Sequence, residues 1–473
     1  MVLILCSAGI IRKGESCQVK FKINIVKDKQ FYLKVLAIML PVAAQQAINM
    51  GVNMMDTIML GQLGEVQLSA SSLANSFYNI FQIFCMGTIG GCSVVASHYY
   101  GAGENRKVQE VFSLALRIIS VLAIVFALVT WFFPAQIMRI YTPDQPVIDA
   151  GVGYLRITAF IYLIHGTGFV TAQLMRSVNQ PRIGLYVSLL SFFVNVGANW
   201  IFIFGHFGAP RMEIRGAALG TLIARAAEFI ATFALVFGQK KFRFRLRDFF
   251  INPTKEIVTK YVKVGMPALI SDALLGFGNT ALSMIIGRLG VAAVSANSIC
   301  QVVDRFFTVI VSGIANASSI IVGHTIGSGK KEEAQAQGET FYLLSVIFGI
   351  ISGAILFLIG PLTLKLYKLE PETVVVAKQM MNAFAVIVFF QAVQSVMTKG
   401  VLRGGGDTRF LMIADILFLW VVSIPFGYLA GIILHWPAWL VQVCLRADYV
   451  IKSVWCIGRL MSGKWIHDVA RKK

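Results

Sequence analysis

Four polar side chains interrupt an otherwise apolar stretch, "LPVAAQQAINMGVNMMDTIMLGQLG": Gln46, Asn49, Asn53 and Asp56 fall at i, i+3, i+7 and i+10 and share one face of a helix. A second set, in "SLLSFFVNVGANWIFIFG", places Ser188, Ser191, Asn195 and Asn199 on one face, and Thr221 follows among the small residues of "RGAALGT". Carboxylate, amide carbonyl and hydroxyl oxygens are hard ligands, so Asp56, Asn195, Asn199 and Thr221 suit a small cation such as Na+ or the holding of a carboxyl proton. A third set joins Asp272, Asn279 and Ser283 on one face, with Gln391, Gln394 and Thr398 on another. Asp272 has no base within a helical turn, and an unpaired acid there would carry an ion or a proton, or oppose a cationic substrate. Blander readings exist for each: an interfacial acid that ends a span, amides that glue helices together, a carboxyl kept protonated by burial. Glu228, three residues after Arg225, and Asp304, next to Arg305, read as locally neutralised pairs, and His98 and His324 as solvated helix ends.

The elements that must position these groups are membrane helices. The 473 residues are 57% hydrophobic and only 14% charged, with mean hydropathy +0.72. Twelve apolar runs, from 35–59 to 434–458, are each long enough to cross a hydrocarbon core of about 30 Å as a helix. Their continuity is unlike the alternation of barrel strands, so the expected fold is an all-α integral membrane protein. The net charge of +19 does not signal nucleic-acid binding, because the cations gather in alternate loops. The N-terminal tail (Arg12, Lys13, Lys20, Lys22, Lys27, Lys29), the middle loop (Lys240, Lys241, Arg243, Arg245, Arg247) and the C-terminal Arg471, Lys472 and Lys473 mark one side as cytoplasmic, both termini included; Arg211, Arg215, Lys365 and Lys368 are exceptions. Residues 1–30 read as a cytoplasmic extension, since the apolar run there precedes its positive charge. Seven scattered cysteines without a CxxC pair imply neither a disulfide framework nor a metal site.

The sequence also matches itself at an offset of 226 to 227, which pairs Pro41 with Pro267, "LGQLG" with "IGRLG", "HYYGAGENRK" with "HTIGSGKKEE", and "RSVNQPR" with "RGGGDTR". The chain is therefore expected to form two six-helix lobes, 31–238 and 261–458, joined by a basic linker, 239–260, and followed by a basic tail, 459–473. Six is even, so the lobes share one orientation, an arrangement belonging to transporters that rock one half against the other. A soluble enzyme is excluded. The six dispersed histidines offer no cluster for a membrane enzyme.

From about residue 31 to 460 the chain resembles the multidrug and toxic compound extrusion (MATE) family of secondary transporters. The likeness rests on the order and duplication of "MDTIMLGQLG", "YYGAGENRK", "RSVNQPR", "FFVNVGANWIFIFG", "GMP", "IIGRLG", "GHTIGSGK", "LRGGGDTR" and "WVVSIP". It implies two lobes around a cavity that opens alternately to each side, with inward Na+ or H+ driving export of organic, cationic, amphipathic compounds and no other cofactor. By the same likeness Asp56, Asn195, Asn199 and Thr221 match a first-lobe coupling site, with Asn199 standing where one subgroup has an aspartate. Asp272 lies a few residues from another subgroup's span 7 glutamate, and Gln391 and Gln394 stand near its missing span 10 acid. The substrate surface is expected to include Gln46, Asn49, Asn53, Asp272, Asn279, Gln391 and Gln394. The expected setting is the plasma membrane, the expected partners are small organic cations and lipid, and the expected state is a monomer. The competing reading is a flippase for a lipid-linked glycan precursor, which would need basic residues for phosphates; within the spans only Arg225 and Arg305 stand out.

Overall fold

The computed structural model describes residues 24–239, 245–364 and 370–470, and within them every regular element is helical. Most of the expected N-terminal extension, the loop cations Lys240, Lys241, Arg243, Lys365 and Lys368, and the last three residues lie outside the described residues. Residues 24–28 are extended along a later helix, where the Asn24 amide donates to Glu339 at 2.6 Å and the Val26 amide to Thr340 at 3.0 Å.

The long helices run α1 (Lys29–Gly61), α2 (Glu65–Gly101), α3 (Asn105–Phe132), α4 (Gln145–Leu174), α5 (Pro181–Phe204), α6 (Glu213–Phe237), α7 (Lys255–Gly287), α8 (Val291–Gly327), α9 (Lys331–Thr363), α10 (Pro371–Ser395) and α11 (Thr408–Ile433). Among the described residues these eleven are long and apolar enough to cross a membrane. Proline in the first turn opens α4, α5 and α10, where its missing N–H would be unpaired in any case. Gly205, at φ 79°, closes α5. The expected twelfth span departs from one continuous helix. It is a short piece, Ala438–Leu445, and α12 proper, Ala447–Met461, separated at Arg446. There the backbone leaves helical geometry and the guanidinium donates to Tyr449 at 2.7 Å and Asn279 at 3.3 Å. Wider π turns, Val396–Leu402, Ile416–Ser423 and Leu429–Ile433, extend α10 and interrupt α11; Pro425, which supplies no N–H, follows the second of them.

The repeat is visible in the backbone. Gly64 and Gly290, one offset apart, both take positive φ at the tight turns after α1 and α7, and Asn179 matches Gly406 in the same way, at 61° and 81°. Packing repeats too: α3 and α6 both pack on α4, as α9 and α12 both pack on α10.

By contacts the chain divides into two compact units, one formed by residues 40–96 and 104–269, the other by residues up to Met39, 97–103 and 270 onward. In the first, Met59, Leu60, Ile137, Met138, Leu155 and Ile203 belong to one buried cluster. There the Leu246–Phe250 turn and the residues after it are strapped to α3: Ser113 donates to the carbonyls of Phe249 and Ile251 at 2.7 Å each, and the Thr254 amide donates to Glu110 at 3.0 Å. The linker thus ends in ordered structure, and α7 has begun by Lys255. In the second unit Ala296, Cys300, Met380, Met381 and Phe384 form one core, and Leu282, Leu419, Val441 and Leu445 another. Large apolar side chains point outward all along the helices, Leu358 70% exposed and Ile230 67% exposed, as a lipid-facing surface requires.

Candidate functional site

In the first unit the polar face of α5 is buried: Ser188 is 6% exposed, Ser191 5%, Asn195 1% and Asn199 0%. Asn199 Nδ2 donates to Asp56 Oδ1 of α1 at 2.5 Å and to Asn195 Oδ1 at 3.3 Å. Asn199 can stand there because α6 has glycine opposite it; a Cβ on Gly220 would lie 2.2 Å from Asn199 Oδ1. That Oδ1 is itself buried and has no hydrogen-bond partner among the described residues. The structure therefore unites Asp56, Asn195 and Asn199, while Thr221 lies half-buried on α6 beside Gly220. Gln46 and Asn49 are half-buried and Asn53 is exposed.

Deeper in the same unit, Arg225 and Glu228 form the expected local pair at 2.6 Å. It is more than local. Ser191 donates to Glu228 at 3.4 Å, and His165 of α4, 2% exposed, turns Nδ1 toward Glu228 Oε1 at 3.9 Å. With the Gln82 amide donating to His165 Nε2 at 3.0 Å, the ring proton lies on Nδ1 and faces the carboxylate. Arg225 is also within electrostatic reach of Asp56, so Asp56 and Glu228 share one cation.

The second unit corrects several expectations. Asp272 is not unpaired: Arg403, beyond α10 and 131 residues away, clasps it with two hydrogen bonds of 2.7 and 3.1 Å. The basic partner arrives through the fold, where a search within one helical turn could not find it. Asp304 does not pair with its neighbour Arg305; its carboxylate accepts from Gln391 at 2.9 Å and Thr308 at 3.3 Å. Adjacent helix positions point apart, whereas Thr308 lies one turn on. Asn279 accepts from Arg446 at 3.3 Å, and Gln394 accepts from Thr398. Asn279, Ser283, Asp304, Arg305, Gln442 and Arg446 line a cavity of about 160 Å³. His98 and His324 are not solvated ends but buried, 0% and 7% exposed. The Val469 amide donates to His98 Nδ1 at 3.3 Å, which leaves Nε2 to donate to the Gly404 carbonyl at 2.7 Å. Basic groups inside the helices exceed the two expected, for Arg176, Arg403 and Lys452 are buried or nearly so. Each has a partner: Arg176 donates to Gln45, Arg403 to Asp272, and Lys452 pairs with Asp415 and Asp448. Lys452 escaped the sequence reading in part because one partner, Asp415, lies on α11, which no local spacing links to it. Asp448 sits only four residues before it, a legible pair that the apolar setting concealed.

A profile of the MatE family matches residues 41–201 and again 267–429. The chain belongs to the MatE family. The two matches of this MatE chain begin at Pro41 and Pro267, the residues that the internal offset pairs. It is 24% identical over 442 residues, 91% of the chain and 92% of the relative, to a probable multidrug resistance protein NorM from Thermotoga maritima. Among solved folds it is similar to a Vibrio cholerae MATE transporter in its bent form, with TM-score 0.82 and 15% identity over 92% of this chain and 97% of that one. It is similar also to a MOP superfamily transporter from Pyrococcus furiosus, with TM-score 0.79 and 17% identity over 93% and 99%. These folds match the all-α, multi-spanning architecture of the MatE chain, and membership places it among multidrug transporters.

Proposed function

We propose that this chain is a cation-coupled antiporter that exports organic, cationic, amphipathic compounds by alternating access, acting as a monomer in the plasma membrane with both termini cytoplasmic. The observation that carries the reading is Asp56, held by Asn199 at 2.5 Å beside Asn195 on a buried polar face of α5. A carboxylate in that setting can bind inward Na+ or H+ and give it up, and the orphan Asn199 carbonyl supplies a further hard oxygen. Inward movement of one charge down a 100 mV potential is worth about 2.3 kcal/mol, enough to drive export when ion and drug bias the same equilibrium in opposite directions. Asp272 serves this reading as a counter-charge only if Arg403 releases it, so Asp56 ranks first. The substrate surface is assigned to Gln46, Asn49 and Asn53 in the first lobe and to Asn279, Gln391 and Gln394 in the second. The lobes are taken as 31–238 and 261–458.

The flippase reading is weaker on the same geometry, because among the described residues the buried cations Arg176, Arg403 and Lys452 are already engaged by partners. The test is efflux of a fluorescent organic cation from cells stripped of their own pumps, energised in turn by a sodium jump and a pH jump. Sodium-driven efflux lost in Asp56→Asn supports a hard-oxygen ion site, and proton-driven efflux lost in the same variant supports a titrating carboxyl. Absence of efflux under both gradients overturns the antiporter reading.

A further inference from the structure

The second unit contains a buried charge cluster that the coupling proposal leaves unused. Lys452 of α12, 1% exposed, has its Nζ 2.7 Å from Asp415 Oδ1 of α11 and 3.0 Å from Asp448 Oδ2 of α12. Asp415 is 5% exposed and Asp448 1%. Ser271 of α7 donates to Asp415, and the Asp448 amide donates to Ser423 of α11 at 2.7 Å. Asp448 Oδ1 is different. It is buried and has no hydrogen-bond partner among the described residues.

We propose that Asp448 Oδ1 is a proton-binding site, and that Asp415, Lys452 and Asp448 hold one exchangeable proton in addition to the ammonium. Two carboxylates bracket one ammonium, and with both acids ionised Asp448 keeps an unsatisfied carboxylate oxygen in a buried setting, which is costly. The neighbouring cations are shared with other partners, Arg446 lying within electrostatic reach of Asp448 and Arg403 within reach of Asp415. Arg403 is clasped by Asp272, Asp304 accepts from Gln391 and Thr308, and Arg446 donates to Tyr449 and Asn279. Cys456 of α12 lies within electrostatic reach of Asp415 and of Asp407, which is ion-paired to Arg459.

A proton fits where a metal ion does not, because Lys452 Nζ already occupies the position between the two carboxylates that a small cation would take. Binding adds one proton to Oδ1 and turns the carboxylate into a carboxylic acid; release returns that proton to water. The site is poised to cycle. Burial favours the neutral acid, whereas Lys452 and the N-terminal turn of α12, in which Asp448 lies, favour the ionised form. The transport role given to this proton rests on the antiporter reading, but its presence does not.

The test is infrared difference spectroscopy on the purified full-length protein in bilayers, between acidic and alkaline pH, for wild type, Asp448→Asn and Asp56→Asn. The expected result is a titrating protonated-carboxyl band that disappears in Asp448→Asn and persists in Asp56→Asn. The amide mimics the neutral acid, so Asp448→Asn should elute as a folded monodisperse protein. A band unchanged in Asp448→Asn, or a failure of that variant to fold, overturns the proposal. In liposomes, Asp448→Asn should lose at least tenfold in pH-driven transport of the organic cation while keeping substrate exchange at wild-type rate. Wild-type pH-driven transport in Asp448→Asn overturns the coupling role. A wild type that shows neither driven transport nor exchange overturns the antiporter reading instead, and leaves the infrared result standing.

Discussion

At the residue scale the first-lobe site depends on what is missing from position 220. A Cβ there would lie 2.2 Å from Asn199 Oδ1, so Gly220→Ala must push the amide off Asp56, at about 1 to 3 kcal/mol of overpacking. Ion-driven efflux should fall at least tenfold in Gly220→Ala, while Gly197→Ala, with nothing within 4 Å of its new methyl, should transport like wild type. Asp56→Asn can still accept from Asn199, and is expected to express normally and to fail in ion-driven efflux. Asp272 behaves differently. Removing its partner in Arg403→Leu strands a half-buried carboxylate, and thermal unfolding should register a loss of about 1 to 3 kcal/mol; adding Asp272→Leu should restore most of it, and a double variant no more stable than the single would mean the pair is not what matters. The α5 face and the Arg225–Glu228 pair were legible because their spacing lies within one helix. The bond from Arg403 to Asp272, and that from Lys452 to Asp415, were not, because tertiary packing brings those partners from distant helices.

At the element scale the helices were legible from hydropathy, and their interruptions were not. The π turns of α10 and α11 lie inside runs as apolar as any other, with Pro425 removing one backbone donor, while the break at Arg446 falls where Arg446, Asp448 and Lys452 crowd seven residues of the last run. The repeat foretold which turns would match, but not that two of its glycines would each lie against the backbone of the other's helix. A Cβ on Gly101 would lie 2.1 Å from the His324 carbonyl oxygen, and one on Gly327 2.0 Å from that of His98. The ends of α2 and α8 thus touch backbone to backbone, reciprocally. Gly101→Ala and Gly327→Ala should each lower the unfolding temperature markedly, whereas Gly61→Ala, at a helix end with open space, should leave it unchanged.

At the scale of the whole molecule the charge pattern predicts sidedness, and that can be measured directly. A cysteine at Phe207, 86% exposed in the loop after α5, should react with a membrane-impermeant thiol reagent in intact cells. One at the exposed Lys464 should react only after permeabilisation, while the buried Cys85, Cys92, Cys300, Cys444 and Cys456 stay silent. Labelling in the opposite sense would reverse the orientation. The hydrogen bond from the Val469 amide to His98 spans 371 residues of chain. Synthesis proceeds at about 5 to 20 residues per second, so roughly 20 to 75 seconds separate the emergence of its two ends. This end of α2 cannot reach its final state until Val469, 371 residues after His98, has been made and has left the ribosome. A nascent chain halted just short of Val469 should carry its helices already inserted and this one junction open.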